Sequence, residues 1–162
     1  MIIVLMGVAG SGKTTVGMLL ARRLGWPFHD ADDLHPAANR DKMRHGIALT
    51  DEDRRPWLDA VRDLIERCVA RKQNAIVACS ALKQSYRDLI VVDSAVVRLV
   101  YLEGSRSLIT ERLVRRRGHF FNRTLLQNQF EVLEAPGDAI VADVTSSPDL
   151  IVESVIARLA CS

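Results

Sequence analysis

The sequence is poor in cysteine and lacks any long apolar run. Its three cysteines, Cys68, Cys79 and Cys161, are widely spaced and form no CxxC pair. An odd, dispersed set of this kind indicates reduced thiols rather than a disulfide framework. No apolar run approaches the roughly 18 residues that a membrane-spanning helix needs. The chain also enters its first apolar strand at once, so we expect no signal peptide, no membrane contact and a cytoplasmic location.

The sequence also lacks a strong excess of charge of either sign. Its formal net charge is +2 over 162 residues, which is too small to argue for a nucleic-acid partner. The arginine-rich stretch at residues 115–117 has no interleaved aromatic residues on which bases could stack. With 48% hydrophobic and 26% charged residues, and no repeat or linker, the composition predicts one globular domain over residues 1–162.

What is present is organised around residues 2–14. An apolar run at 2–6 predicts a strand, and it is followed by Gly7-x-x-x-x-Gly12-Lys13-Thr14, the spacing of a phosphate-binding loop. The glycines allow a tight turn whose N–H groups face one phosphate, and the next helix adds its positive end. Lys13 supplies a charge for the β- and γ-phosphates, and the Thr14 hydroxyl suits Mg²⁺. The expected nucleotide-binding residues here are Gly7, Val8, Ala9, Gly10, Ser11, Gly12, Lys13, Thr14 and Thr15.

Strand and helix patterns then alternate along the chain. Five apolar strand candidates, each followed by a helical pattern, predict an α/β fold with a five-stranded parallel sheet between two helical layers. Ligands of such sheets bind beyond the carboxyl ends of the strands. Three of the loops expected at that edge are rich in polar groups, namely residues 7–14, 30–35 and 79–83.

Asp30 and Asp32 follow the second predicted strand. If the backbone stays extended there, both carboxylates point to one face, opposite the phosphate-binding loop. One of them could orient Mg²⁺ through water while the other accepts a proton from an attacking hydroxyl, and the two roles are interchangeable at this level. Aspartate is also common in turns, where it bonds its own backbone.

Basic residues supply candidates for holding an anionic acceptor. Arg54 begins a helix, where a cation opposes the helix dipole, and a substrate carboxylate would explain its charge. Lys83 and Arg87 are four apart on a predicted helix, and an anion between them would relieve their repulsion. His35 lies on the segment that would cover this site, and we expect it to contact the acceptor. Arg55 is equally well explained as a solvated surface residue.

Arg112, Arg115, Arg116 and Arg117 form a basic helix end before Gly118. Such a cluster could close over a nucleotide, neutralise the charge of the transferring group and expel water. The third strand ends in Cys79-Ser80, without the acidic metal ligand that motors and switches place there, and this speaks against a hydrolytic NTPase.

Together these stretches resemble the gluconokinase family of small P-loop kinases. The resemblance covers most of residues 4–136. It rests on residues 5–14, 30–36, 39–43, 49–58, 79–88, 117–120 and 129–136. The phosphate-binding loop is shared by many families, whereas the other stretches are specific to this one. Ala31 stands where relatives often have Gly, and Phe121-Asn122 replaces a frequent Met-Pro, but neither change touches an expected catalytic group.

The resemblance implies a P-loop NTPase fold with a small helical lid at about residues 112–124 and a substrate-covering segment at about 31–55. It implies Mg²⁺-dependent transfer of phosphate from ATP to the 6-hydroxyl of D-gluconate, in a protein whose relatives are often homodimers. The implied catalytic residues are Lys13, Asp30, Asp32 and Arg116, with Arg112, Arg116 and Arg117 on ATP. The implied acceptor-binding residues are Asp32, His35, Arg54, Lys83 and Arg87, and the implied metal-binding residues are Thr14 and, through water, Asp30.

Two other functions fit the same residues. One is a kinase for a different small anionic acceptor. The other is a nucleotide-dependent switch, which would bind ATP without acceptor-dependent turnover. The acidic pair Asp30 and Asp32 and the missing acidic residue after the third strand favour a kinase.

Overall fold

The computed structural model describes residues 1–115 and 123–161. Five strands form one parallel sheet in the order β2-β3-β1-β4-β5, which confirms the predicted α/β architecture. The strands are β1 Ile2–Met6, β2 Phe28–Asp30, β3 Ala75–Ala78, β4 Val97–Glu103 and β5 Ile140–Asp143. The helices of the described residues are α1 Lys13–Leu24, α2 Ala37–Arg44, α3 Asp51–Ala70, α4 Gln84–Ile90, α5 Arg106–Arg115, α6 Arg123–Val132 and α7 Pro148–Ala160.

The central strand β1 shows why the sheet has helices on both faces. All of its residues are buried, and alternate side chains point to opposite sides. Ile2, Val4 and Met6 pack with α3 and α4 in one apolar cluster. Ile3 and Leu5 pack in a second cluster with α1, α5, α6 and α7. Two apolar layers around one sheet therefore hold the carboxyl ends of the strands at a common edge.

Local signals set the helix ends. Thr50 and Asp53 form a capping box, in which each side chain accepts a hydrogen bond from the other residue's backbone N–H. Ser147 caps α7, and Pro148 occupies its first turn. Pro36 precedes α2 as its capping residue rather than starting the helix.

The backbone does not stay extended from Asp30 to Asp32, so the condition under which both carboxylates would point to one face is not met. Residues Ala31–Leu34 form a short 3₁₀ helix, and the Asp30 carboxylate caps it by accepting a hydrogen bond from the Asp32 N–H at 3.1 Å. The local Asp-to-backbone bond outcompetes strand extension here because short polar side chains can satisfy nearby backbone groups. The two aspartates are therefore separated by a turn instead of projecting side by side.

No helix within residues 1–115 and 123–161 has the length and apolar character that spanning a membrane requires. The predicted lid at about 112–124 lies largely outside the described residues, as do Arg116 and Arg117.

Candidate active site

The phosphate-binding loop joins β1 to α1 and depends on its glycines. Gly10 has φ +81 and would place a Cβ 2.6 Å from the Leu113 side chain, so this position requires glycine for backbone conformation and for space. Gly12 has φ +99 and precedes the first residue of α1. The loop therefore directs the N-terminus of a 12-residue helix toward the cavity described below.

Lys13 and Ser11 give this loop the groups that a polyphosphate needs. The Lys13 ammonium donates hydrogen bonds to the carbonyls of Gly7 and Val8, at 2.9 and 3.1 Å. Burial lowers the pKa of Lys13, while the negative charge of Asp32 opposes that shift. The Ser11 hydroxyl is buried and has no hydrogen-bond partner among the described residues. A buried orphan hydroxyl and a charged ammonium fit the phosphates of a nucleotide.

Thr14 and Asp30 meet beside the loop. The Thr14 hydroxyl donates a hydrogen bond to the Asp30 carboxylate at 3.0 Å. Mg²⁺ prefers hard oxygen ligands, and in kinases it keeps several waters and phosphate oxygens around one or two protein ligands. No cluster of three or more His, Cys, Asp or Glu side chains suited to a metal occurs in the described part of the chain. A hydroxyl next to one carboxylate fits Mg²⁺ held mainly by a nucleotide.

Asp32 faces the same space from the 3₁₀ helix. Desolvation by surrounding protein raises the pKa of its carboxyl above the ordinary value of 3.8, while Lys13 partly opposes this effect and Asp30 adds to it. Asp32 lines the main cavity, but neither Asp30 nor Asp33 does. The structure therefore separates the two candidate carboxylates: Asp30 adjoins Thr14, and Asp32 borders the space for a ligand.

The cavity has a volume of about 900 Å³ and connects the loop to the other candidate residues. Its walls come from the phosphate-binding loop, the 3₁₀ helix, α3, the segment after β3, and α6. Such a volume suits a small-molecule ligand. The lining residues used below are Lys13, Asp32, His35, Asp51, Arg54, Lys83 and Tyr86.

Arg54 and Lys83 approach the cavity from two different helices. The Arg54 guanidinium donates to the Leu49 carbonyl at 2.5 Å, and its carbon lies 5.8 Å from the centre of the Tyr86 ring. The Lys83 ammonium lies 5.4 Å from the same ring centre. Arg54 and Lys83, which the sequence offers as separate candidates, therefore border the same cavity, and Lys83 occupies the N-cap position of α4.

Arg87 does not reach the cavity, so its predicted place beside Lys83 is wrong. Its side chain is buried and donates hydrogen bonds to the carbonyls of Ala81 and Leu82, both at 3.1 Å. A further bond joins it to Gln84 at 2.7 Å. The guanidinium thus holds the chain between β3 and α4 by satisfying its carbonyl groups.

Arg112 lies on α5 and does not line the cavity. Its guanidinium donates a hydrogen bond to the Val144 carbonyl, which follows β5. This contact places it beside the loop between β5 and α7. It is compatible with the predicted contact to a nucleotide base, which stays a prediction.

The sequence patterns missed two contributors to the site. Asp51 bonds both Lys83 and Tyr86, and Gln129 of α6 accepts a hydrogen bond from the Ala9 N–H at 2.6 Å. Neither contact follows from periodicity, since each joins residues 32 to 120 positions apart. Both residues lie in stretches that carry the family resemblance, 49–58 and 129–136, but the spacing within each stretch does not show these contacts.

His35 is a buried wall of the cavity. Its ring stacks on Trp57 with centroids 4.4 Å apart, and Trp57 in turn donates to the Ala31 carbonyl at 2.7 Å. Burial, followed by the charges of Arg54 and Arg40, lowers the pKa of His35 to about 4. The imidazole is therefore neutral near pH 7, and it can contact an acceptor only as an uncharged group.

The buried histidine predicts a loss of stability in acid. Between pH 6.5 and pH 4 the unfolded chain binds a proton that the folded His35 does not. Stability is therefore full above the unfolded pKa and falls as the pH drops, by about 2 kcal/mol between pH 7 and pH 5. Urea unfolding at both pH values should show that His35→Gln removes most of this difference. His45→Gln, which changes an exposed histidine, should retain it; equal pH dependence in the two variants would contradict the assignment.

Comparison with known proteins identifies the family of this chain. The family model described as shikimate kinase matches residues 9–147. A probable gluconokinase of Mus musculus is 47% identical, with 83% of each chain covered. The gluconokinase of Gluconobacter oxydans (strain 621H) is 43% identical over 95% of this chain and 88% of its own. The crystal structure of a gluconokinase from Sinorhizobium meliloti 1021 superposes with a TM-score of 0.87 and 44% identity, covering 98% of this chain and 90% of the other. The chain therefore belongs to the gluconokinase family, within the group of kinases that the shikimate kinase family model describes.

Proposed function

We propose that this protein transfers the γ-phosphoryl group of ATP to the 6-hydroxyl of D-gluconate, giving 6-phospho-D-gluconate and ADP. The observation that carries the proposal is the single cavity that Lys13 of the phosphate-binding loop shares with Asp32, Arg54 and Lys83. The reaction needs a binding site for a polyphosphate, a proton acceptor and cations that hold a carboxylate, and these residues supply all three. The gluconokinase relatives support the choice of acceptor.

In the proposed mechanism, the chain acts mainly by positioning and by charge stabilisation. The loop amides and Lys13 hold the β- and γ-phosphates. Asp32 accepts the proton of the 6-hydroxyl while the hydroxyl oxygen forms a bond to the γ-phosphorus. The bond from that phosphorus to the bridging oxygen breaks, and its electron pair leaves with ADP. We assign Arg116 to the phosphates and Arg112 and Arg117 to the nucleotide. The roles of Arg116 and Arg117 rest on the family resemblance alone.

Mg²⁺ is the proposed cofactor. When bound, it would supply positive charge that neutralises the phosphates. Thr14 would hold it through its hydroxyl and Asp30 through water, since these two groups meet at 3.0 Å beside the loop. The alternative exchange of roles between Asp30 and Asp32 is less well supported because Asp32 is the one that borders the cavity.

A homodimer and a cytoplasmic location belong to the same proposal. The dimer rests on the family resemblance, and sedimentation equilibrium would test it. The three cysteines are free thiols, which agrees with a reducing compartment.

An acceptor screen tests the proposal. Purified protein with ATP and Mg²⁺ should release ADP only when D-gluconate is present. A coupled enzymatic assay measures the ADP. Shikimate, other sugar acids and nucleoside monophosphates serve as competing acceptors. Faster turnover with one of these would identify another small-molecule kinase. ATP binding without any acceptor-dependent ADP release would instead indicate a nucleotide-dependent switch.

Arg54→Ala is expected to raise the KM for gluconate by about 10- to 100-fold while changing the KM for ATP little. This range corresponds to losing hydrogen bonds between charged partners. Arg55→Ala is the matched control, since Arg55 is exposed and pairs with Asp59 at 3.2 Å outside the cavity. Steady-state kinetics with each substrate varied would measure both constants. An unchanged KM for gluconate in Arg54→Ala would refute the carboxylate-binding role.

A further inference from the structure

Four side chains form a connected group on the cavity wall: Asp51, Arg54, Lys83 and Tyr86. The Lys83 ammonium donates to both oxygens of the Asp51 carboxylate, each at 2.8 Å. The Tyr86 hydroxyl donates to one of these oxygens as well. Arg54 donates to the Tyr86 hydroxyl at 3.4 Å and lies 3.7 Å from Asp51. The group is therefore one hydrogen-bonded chain with Asp51 as its anion.

The charged side chains of this group differ in their exposure to solvent. The side chains of Arg54 and Lys83 are only 22% and 25% exposed, and both lie against the Tyr86 ring. Asp51 is 63% exposed and lines the cavity. Two partly desolvated cations near each other repel strongly unless an anion accompanies them. Asp51 supplies that anion, and the three ionised groups together carry a charge of +1.

The donors that remain free also suit one carboxylate. Asp51 accepts two of the three N–H bonds of Lys83, and one nitrogen of the Arg54 guanidinium serves Leu49 and Tyr86. The other two nitrogens of Arg54 have no hydrogen-bond partner within residues 1–115 and 123–161. Two N–H groups on one edge of a guanidinium match the two oxygens of a carboxylate.

We propose that Asp51 determines specificity by limiting the acceptor to a single negative charge at the end held by Arg54 and Lys83. Its carboxylate cancels one of the two cationic charges there, so that a monoanion balances the site and a dianion is repelled. This inference rests on the proposed function, because it concerns the acceptor of that reaction. It adds a residue that selects by charge, beside the residues that attract the carboxylate.

A purely structural role for Asp51 makes a different prediction. Asp51 also lies in the first turn of α3, where an acidic side chain favours the helix, and it links α3 to Lys83 at the start of α4. If that link were the whole contribution of Asp51, removing its charge would lower the affinity for every acceptor to a similar extent. If Asp51 selects acceptors by charge, which we call a charge filter, removing its charge changes the relative affinity for monoanions and dianions.

The test compares three ligands with the same carbon chain. D-glucitol has no charge, D-gluconate has one, and D-glucitol 1-phosphate carries close to two at pH 8 because the second pKa of a phosphate is about 6. All three keep the same 6-hydroxyl and differ only at C1. For each enzyme form, the KM for gluconate and the inhibition constant of D-glucitol 1-phosphate against gluconate are measured at low salt. Their ratio reports the preference for one charge over two.

Asp51→Asn should shift this ratio toward the dianion by about tenfold, an effect that 0.5 M salt should reduce because exposed charges are screened. Asp51→Glu keeps the charge and should stay near the wild-type ratio. Asp59→Asn is the matched control, since it removes one negative charge from an exposed position of the same helix. D-glucitol should bind weakly to all forms.

A ratio that stays within twofold of wild type in Asp51→Asn would overturn the charge filter. An equal loss of affinity for both ligands would overturn it as well. A shift of the same size in Asp59→Asn would also overturn it, because the effect would then come from net charge alone. If wild-type protein does not phosphorylate gluconate, the proposed function fails first. If it does and the ratio does not move, only the role of Asp51 fails.

Discussion

Asp32→Asn is expected to lower kcat for gluconate phosphorylation by about 100- to 10,000-fold while ATP still binds. This is the range over which a positioned general base contributes to rate. The amide keeps the size of the side chain but cannot accept the proton of the 6-hydroxyl. Nucleotide affinity should change little, since the contacts assigned to ATP come from the loop and Lys13 rather than from Asp32.

The surroundings of Asp32 explain why its replacement should cost so much. Desolvation raises the pKa of its carboxyl, which makes it a better proton acceptor than an ordinary aspartate, and the charge of Lys13 partly opposes this shift. Asp30 cannot easily substitute for it, because its carboxylate accepts hydrogen bonds from Thr14 and from the Asp32 backbone.

Asp33→Asn provides the control for Asp32→Asn. Asp33 is the next residue along the same 3₁₀ helix, and it is exposed but does not line the cavity. It should retain near-normal turnover. Rapid-quench measurement of phosphoryl transfer and calorimetric titration with ATP would separate chemistry from binding. Near-normal turnover in Asp32→Asn would remove this carboxylate from the mechanism.

The parts of the fold that depend on local patterns could be predicted from the sequence. A buried strand reads as an apolar run, and the glycines of residues 7–12 satisfy a backbone geometry that few other residues adopt. The capping box of Thr50 and Asp53 involves neighbours three positions apart. In each case the residues that interact are close in sequence, so their spacing carries the information.

The interior of the site could not be predicted in the same way. Asp51 and Lys83 are 32 positions apart, and only the packing of α3 beside α4 brings them together. Arg87 was expected to face an anion because its spacing from Lys83 suggested repulsion. The structure instead turns it inward, where the Ala81 and Leu82 carbonyls accept hydrogen bonds from one of its nitrogens. Charge and spacing do not reveal which of two polar partners, backbone or ligand, a side chain meets.

Gluconate phosphorylation by Lys13→Met is expected to be at least about 100-fold slower in kcat, with weaker ATP binding. The substitution keeps an unbranched side chain of similar length and removes the charge that would stabilise the phosphates in the transition state. Loss of one preorganised donor at a developing negative charge typically costs about 100- to 1,000-fold. Kinetics with ATP varied at saturating gluconate would measure the effect.

Stability should respond to Lys13→Met much less than catalysis does. Burial already lowers the pKa of Lys13, so the charged form is held there at a cost that methionine does not incur. Its two hydrogen bonds go to the Gly7 and Val8 carbonyls, in a loop that borders the solvent-accessible cavity. Relief of the desolvation cost offsets part of the loss of these two bonds, so the free energy of unfolding without nucleotide should change by no more than about 2 kcal/mol.

Lys13→Arg distinguishes a requirement for charge from a requirement for shape. Arginine keeps the positive charge but spreads it over a planar group that is larger than an ammonium. The Lys13 ammonium fits between two carbonyls about 3 Å away, a position that suits a compact donor with three N–H bonds. We therefore expect Lys13→Arg to stay at least about tenfold below wild type in kcat. Full activity in Lys13→Arg would mean that charge alone suffices, and full activity in Lys13→Met would exclude Lys13 from phosphoryl transfer.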